Sequence, residues 1–154
     1  MKSKKNTWIR ALGKVLFILY VSFIIYFLLF SDLYGRVHTD GYSYNFIPLK
    51  EIKRFWIYRN ELGFYATFTN LAGNILIFLP FGFFLPMASR YRSFLITLLY
   101  SFLLSLCIET LQLLTMIGSF DVDDLMLNTL GGMLGYLIYA VISFFRRNHV
   151  YKKK

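Results

Sequence analysis

Residues 94–117, FLITLLYSFLLSLCIETLQLLTMI, decide the fold, because they are 24 consecutive residues with a single charged side chain, Glu109. At the 1.5 Å rise of an α-helix this stretch is about 36 Å long, more than the roughly 30 Å hydrocarbon core of a bilayer. Its length and apolar character predict a transmembrane helix rather than a core element of a soluble domain.

Three further apolar runs, 11–30, 71–88 and 125–145, are also long enough to cross a bilayer. The first contains one charge, Lys14, near its start, where the side chain can extend to the interface. Over the 154 residues, 57% are hydrophobic and 16% are charged. A soluble domain with this composition would have too little polar surface. We therefore predict an all-α, polytopic membrane protein with about four transmembrane helices and one membrane domain, 11–145.

A basic stretch precedes the first run, as in a signal peptide. The run is longer than a usual signal-peptide core, and no A-x-A cleavage motif follows it. We interpret it as an uncleaved anchor.

Basic residues are unevenly distributed along the chain. Of the 17 Lys and Arg, 12 lie in the N-terminal region through Lys14, in the 89–93 loop and in the 146–154 tail. Because positive charge concentrates on the cytoplasmic side, we expect both termini (1–10 and 146–154) and the 89–93 loop there. Segments 31–70 and 118–124 then face outward. The basic groups abut apolar runs instead of forming one face, which argues against nucleic-acid binding.

The predicted outer segment 31–70 is rich in aromatic residues. Within 49–62, apolar and charged side chains alternate at roughly helical spacing, and Pro48 suits a first helical turn. This pattern predicts an amphipathic helix on the outer leaflet. The alternative is a connector held to the membrane surface. The aromatic residues are Tyr42, Tyr44, Phe46, Phe55, Trp56, Tyr58, Phe64, Tyr65 and Phe68.

Glu109 is the most informative polar residue, since a charge inside a transmembrane helix is costly and suggests function. Ser101, Ser105, Glu109 and Gln112 share one helical face. A polar stripe on an otherwise apolar helix should face protein or water rather than lipid. We therefore expect this face to be buried.

Other polar residues fall in the outer half of the neighbouring helices, where they could converge with Glu109 on an outward-facing pocket. The predicted ligand-binding residues are Glu109, Gln112, Asn74, Asp121, Asp124 and Asn128.

Structural roles are the alternative for the same residues. Asp121 or Asp123 could cap the fourth helix, and Asn74 or Gln112 could bond between helices. Glycines 131, 132 and 135 include a GxxxG spacing that favours close helix packing.

No metal or cofactor motif is present. The sequence contains no CxxC, HExxH or Gly-Lys-Thr loop, the aspartates lack EF-hand spacing, and Cys107 is the single cysteine. His38 and His149 have no companion ligand nearby in sequence. We expect neither a metal nor a cofactor, and the residues identify no catalytic group.

Four ordered motifs resemble those of the VanZ family, over about residues 45–136. They are NFIPL at 45–49, NILIFLPFG at 74–82, ETLQ at 109–112, and DVDD at 121–124 followed by NTLGG at 128–132 with Gly135. Many relatives carry an arginine shortly before the acidic motif, where this chain has Gly118-Ser119-Phe120.

The resemblance implies a bacterial cytoplasmic-membrane protein linked to low-level resistance to teicoplanin, a lipid-tailed glycopeptide antibiotic. A housekeeping role in the envelope is also compatible with it. We expect the pocket to bind membrane lipid headgroups, a lipoglycopeptide or a lipid-linked cell-wall precursor, without catalysis. The alternatives are an intramembrane enzyme acting on a lipid-linked envelope substrate with Glu109 as base, and a purely structural assembly partner.

Overall fold

The computed structural model describes residues 2–30, 41–90 and 92–151, and the structural statements below refer to these ranges. Four parts of the predicted regions lie outside them. These are Met1 of the N-terminal region, residues 31–40 of the predicted outer segment, which include His38, Tyr91 of the 89–93 loop, and residues 152–154 of the tail.

Within the described ranges the chain forms six helices and two short strands. In chain order they are α1 (Lys2–Phe30), β1 (Ser43–Asn45), α2 (Lys50–Ile57), α3 (Arg59–Leu62), α4 (Phe64–Ala88), α5 (Phe94–Thr115), β2 (Ser119–Asp121) and α6 (Val122–Tyr151).

Three helices contain stretches that are long and apolar enough to cross a membrane: Thr67–Ala88, Phe94–Thr115 and Val122–Arg147. Helix α1 contributes a shorter apolar stretch, Ala11–Phe27. The predicted all-α, polytopic membrane class is confirmed. The side of the membrane on which each terminus lies remains a prediction.

The helix ends differ from the predicted runs. Helix α4 begins at Phe64 instead of residue 71, and α6 extends from Val122 to Tyr151 instead of 125–145. Apolar runs mark where hydrocarbon begins, whereas helical hydrogen bonding continues through polar residues into the interface. Helix α5 ends at Thr115, two residues early, because Met116 adopts a left-handed conformation with φ 54°.

The predicted amphipathic helix within 49–62 is present but divided. Tyr58, with φ −91° and ψ 17°, leaves the helical region and separates α2 from α3. Pro48 lies outside the first turn, since α2 begins at Lys50 after the left-handed residue Leu49, φ 63°.

Glycines allow α4 and α6 to pack in close contact. A Cβ added at Gly82 would overlap the carbonyl oxygen of Gly132, and one added at Gly135 would overlap that of Leu79. Gly131 meets Ile75 in the same way. From the Ile75–Gly131 contact to the Leu79–Gly135 contact the residue numbers rise together, so the two helices run parallel. The predicted close packing at Gly131, Gly132 and Gly135 is confirmed, and Gly82 of α4 takes part in it.

Helix α1 packs antiparallel to α4. Gly13 lies against Met87, the Phe17 and Phe81 rings are 5.3 Å apart, and the Tyr20 hydroxyl donates to the Ile77 carbonyl. The N-terminal part of α1, the connection between α4 and α5, and the C-terminal part of α6 therefore share one end of the bundle, here termed the basic end. Strands β1 and β2 lie at the other, acidic end.

The polar stripe of α5 faces protein, as predicted. Ser101, Ser105 and Glu109 are buried, and Thr97 extends the stripe by one turn. Ser101 lies against Gly132, and Asn128 of α6 donates to the Ser105 hydroxyl at 3.0 Å. The stripe is the face on which α5 contacts α6.

Candidate acidic site between the outer segment and helices α4 to α6

The short parallel ladder of β1 and β2 brings two distant polar segments together. Asn45 pairs in register with Asp121, and its Nδ2 donates to Asp121 Oδ1 at 3.1 Å. The amide oxygen of Asn45 accepts the backbone N–H of Ile47 at 3.2 Å. A second rung joins the hydroxyls of Ser43 and Ser119 at 3.1 Å. Side chains therefore reinforce strands that are each only three residues long.

Glu109 lies beside this ladder. Its carboxylate accepts the backbone N–H of Asp121 at 3.0 Å, and only 2% of the residue is exposed. This bond ties α5 to β2, so Glu109 has a structural partner and is not an isolated buried charge.

Asp121 caps α6. Its Oδ1 accepts the backbone N–H of Asp123 at 2.8 Å, the bond expected of a residue that directly precedes a helix. The predicted capping role is thus confirmed for Asp121. Burial raises the pKa of Asp121 above its ordinary value, and the carboxyl groups of Asp123 and Glu51 raise it further. Hydrogen bonds from the Asp123 N–H and the Asn45 amide lower that pKa in part.

Asp123 has a different partner from the one predicted for it. Its fully buried carboxylate accepts the backbone N–H groups of Leu49, Glu51 and Ile52 at 2.5, 2.7 and 3.1 Å. These amides open α2, whose preceding residue has no side-chain cap. Asp123 therefore caps α2 from a distant part of the chain, and of the two residues considered as the cap of α6, Asp121 has that role.

Two amide side chains connect the acidic end to the helices below it. Asn74 Nδ2 of α4 donates to Asp124 Oδ1 of α6 at 2.5 Å, and Asn128 bonds to Ser105 one turn deeper. Two buried polar atoms have no hydrogen-bond partner: the amide oxygen of Asn128 and the hydroxyl oxygen of Ser101. These bonds bear out the interhelical role considered for Asn74.

The structure brings most of the predicted site residues together. Glu109 contacts Asp121 directly, and the carboxyl group of Asp124 is close enough to that of Glu109 to repel it. Asn74 holds Asp124, and Asn128 lies below the cluster. Gln112 is half-buried beside the Gly118 turn. Ligand binding by these six residues remains a prediction.

The cluster contains four acidic side chains without a basic partner in the described ranges. The ion pair found there joins Arg54 and Glu51 at 2.6 Å, and no described lysine or arginine pairs with Glu109, Asp121, Asp123 or Asp124. Across the same residues, no three His, Cys, Asp or Glu side chains are grouped as metal ligands. The arrangement favours a partner that presents hydrogen-bond donors or positive charge.

The sequence matches the VanZ/LLP1 family over residues 17–144. The chain belongs to the VanZ/LLP1 family. It is 29% identical over 148 residues to Protein VanZ of Enterococcus faecium, an alignment that covers 94% of this chain and 81% of that protein. No solved structure matches the chain.

The family match extends from α1 to α6 and includes every contact of the acidic site. Two contributors were absent from the predicted VanZ-like site, Asn45 and Asp123. Asn45 belongs to the first family-like motif, which is a usable signal. For Asp123 the signal is indirect: α2 begins without Ser, Thr, Asp or Asn before it, so its amides need an acceptor from elsewhere.

Proposed function

We propose that this protein is a multi-pass protein of the bacterial cytoplasmic membrane, with both termini in the cytoplasm and the acidic end outside. The positive-inside rule supports this orientation. Helix packing supports it too, because contacts gather the N-terminal part of α1, the α4–α5 connection and the end of α6 at one end of the bundle.

At the outer leaflet, we propose, the protein lowers the access or harm of teicoplanin-like lipoglycopeptides without modifying them covalently. The observation that carries this proposal is the bond set of Asp123, which joins the acidic site to the start of α2. A molecule with a polar body and a lipid tail could contact the acidic site with its polar part and α2 with its tail. Membership of the VanZ/LLP1 family is the second support.

Helix α2 has the surface expected of an interfacial helix. Trp56 and Ile57 are 63% and 64% exposed. The guanidinium groups of Arg54 and Arg59 lie over the rings of Phe55 and Trp56, at 5.0 and 5.1 Å from the centroids. Aromatic rings and basic side chains at headgroup level favour binding to a membrane surface. The tail of a lipoglycopeptide would concentrate in the same layer.

The polar part of the ligand is assigned to the acidic site. Its carboxylate and amide oxygens would accept hydrogen bonds from a lipid headgroup or from the polar part of a lipid-anchored molecule. The predicted contacts are Glu109, Gln112, Asn74, Asp121, Asp124 and Asn128.

Antibiotic susceptibility of cells with matched expression tests the proposal. Wild type should raise tolerance to teicoplanin more than to vancomycin, which lacks the lipid tail. Glu109→Gln and Asp124→Asn should each erase the difference while the protein still inserts. Glu61→Gln is the control, because it removes an exposed acid outside the site.

Equal tolerance to both drugs, or tolerance to neither, would refute the resistance role. Recovery of a chemically altered antibiotic or cell-wall precursor would replace it with the intramembrane enzyme, in which Glu109 is the base.

A further inference from the structure

A second polar site lies at the basic end of the bundle. A cavity of about 240 Å³ opens between the C-terminal part of α6 and the α4–α5 connection. The α6 wall is one helical stripe, since its residues follow three- and four-residue spacing. The lining residues used below are Arg92, Tyr136, Tyr139, Ser143, Arg146 and Arg147.

Side-chain contacts hold the cavity walls in place. The Tyr136 hydroxyl donates to the Arg92 carbonyl at 3.1 Å, which fixes the α4–α5 connection against α6. The Tyr136 ring packs edge-on against Phe94 at 5.6 Å, and the Tyr139 ring packs against Phe83 at 6.3 Å. The cavity is therefore built from packed aromatic rings.

Three guanidinium groups give the cavity its charge. Arg92 approaches from the connection, and Arg146 and Arg147 from α6. The sequence has no Asp or Glu between Glu61 and Glu109 and none after Asp124, so no acidic side chain is near enough in sequence to neutralise them. Arginine presents planar donors that match phosphate oxygens. The cavity thus favours a phosphate group.

The size and position of the cavity favour a lipid as the source of that phosphate. From Tyr136 to Arg147 the stripe rises about 16 Å, from the apolar part of α6 to its charged end. A cavity of about 240 Å³ is below the usual range for a whole small molecule. It would hold a headgroup while acyl chains lie on the exposed apolar residues Val141, Ile142 and Phe145.

We propose that this cavity binds the phosphate headgroup of an anionic phospholipid from the leaflet at the basic end. The three arginines bind the phosphate oxygens, and the tyrosines and Ser143 surround the headgroup. This site is separate from the acidic site, and its existence does not depend on the proposed function.

Native mass spectrometry of the purified full chain in a neutral detergent tests the site with three probes: phosphatidylglycerol, phosphatidylcholine and inorganic phosphate. Phosphatidylglycerol should bind in preference to phosphatidylcholine. The triple variant Arg92→Gln, Arg146→Gln, Arg147→Gln should weaken phosphatidylglycerol binding by about tenfold or more, since each basic residue near an anionic headgroup contributes about fivefold.

Two further variants distinguish binding in the cavity from nonspecific attraction between basic residues and an anionic lipid. Lys152→Gln, Lys153→Gln, Lys154→Gln removes the same charge from residues later in the sequence. If the cavity is the site, this variant should change binding by less than about threefold, because charges beyond a Debye length are screened. Ser143→Leu fills the cavity without changing charge and should weaken binding as the arginine variant does. Equal binding of both lipids, or an equal loss in the tail variant, would overturn the proposal. Displacement of lipid by micromolar inorganic phosphate would make free phosphate the ligand and would overturn the lipid assignment.

Discussion

The carboxylate of Asp123 accepts a 2.7 Å hydrogen bond from the backbone N–H of Glu51, 72 residues earlier in the chain. The same carboxylate binds the amides of Leu49 and Ile52. A side chain in the first turn of one helix thus caps the first turn of another. One buried side chain therefore ties the start of α2 to the start of α6.

We expect Asp123→Ala to release α2 from the bundle. Three amides would lose a charged acceptor, and the stability of the acidic end should fall by roughly 2 kcal/mol or more. Hydrogen–deuterium exchange of residues 49–57 in nanodiscs measures the effect, and exchange there should accelerate more than in α4 or α6. Asp123→Asn keeps one acceptor oxygen and should give an intermediate result. Glu61→Ala is the control, and unchanged protection in Asp123→Ala would contradict the capping role.

Sequence predicted the helices well because the physical cause is local. An apolar run such as 94–117 specifies its own helix, and the burial of Ser101 and Glu109 followed from helical periodicity. The spacing of the α6 glycines likewise predicted close packing, although it did not identify α4 as the partner.

The ladder and the cap were not predictable in the same way. Strands β1 and β2 are three residues long and pair across 76 residues, so neither has a periodic pattern of its own. Asp123 lies inside the first turn of its own helix, and only the fold shows that α2 is its partner. The local sequence suggested that Asp123 interacts with its own helix, whereas the tertiary contact pairs it with the amides of α2.

Membrane orientation is testable with single cysteines on a Cys107→Ser background. Asn60→Cys at the acidic end and Ser93→Cys at the basic end replace exposed residues that make no side-chain cap. In intact cells an impermeant maleimide should label Asn60→Cys only, because basic loops stay in the cytoplasm. Labelling of Ser93→Cys before permeabilisation would invert the proposed orientation.

Close packing predicts that Gly132→Leu and Gly135→Leu disrupt the bundle. Each added side chain would collide with a neighbouring helix, Gly132 with Ser101 and Gly135 with Leu79. Folded yield in detergent and the melting temperature should both fall. Gly41→Ala adds a methyl group where nothing lies within 4 Å and should behave as wild type. Wild-type melting of both leucine variants would mean that this glycine face does not pack as described.

The pKa of Asp121 predicts a pH dependence for the acidic end. Because burial raises its folded-state pKa, the folded protein holds the proton more tightly than the unfolded chain. The shift therefore lowers the free energy of unfolding as pH rises. This loss is absent below about pH 4, the ordinary pKa of aspartate, and grows as pH rises through the folded-state pKa. Asp121→Asn keeps the Oδ1 acceptor, so its melting temperature relative to wild type should be higher at pH 7 than at pH 4. A melting-temperature difference between Asp121→Asn and wild type that is the same at both pH values would refute this effect. Glu61→Gln is the control, because it removes an acid outside the site.

The exposed surface of α2 provides a prediction that separates ligand recruitment from folding. Trp56→Ala and Ile57→Ala remove exposed side chains, so the unfolding free energy should change by no more than about 0.5 kcal/mol. If lipid-tailed drugs bind at this surface, both variants should lower teicoplanin tolerance and leave vancomycin susceptibility unchanged. The measurement is susceptibility at matched expression, with melting temperature as the folding readout.

Leu95→Ala is the matched control, because Leu95 is also exposed, at 69%, but lies near the start of α5 at the basic end. Leu95→Ala should leave tolerance to both drugs unchanged, since in the proposed orientation the lipoglycopeptide is in the opposite leaflet. Equal losses in the control and in the α2 variants would reflect a general effect on membrane insertion. Full teicoplanin tolerance in Trp56→Ala and Ile57→Ala would show that α2 does not recruit the drug, and the acidic site would then have to act on a ligand delivered without it.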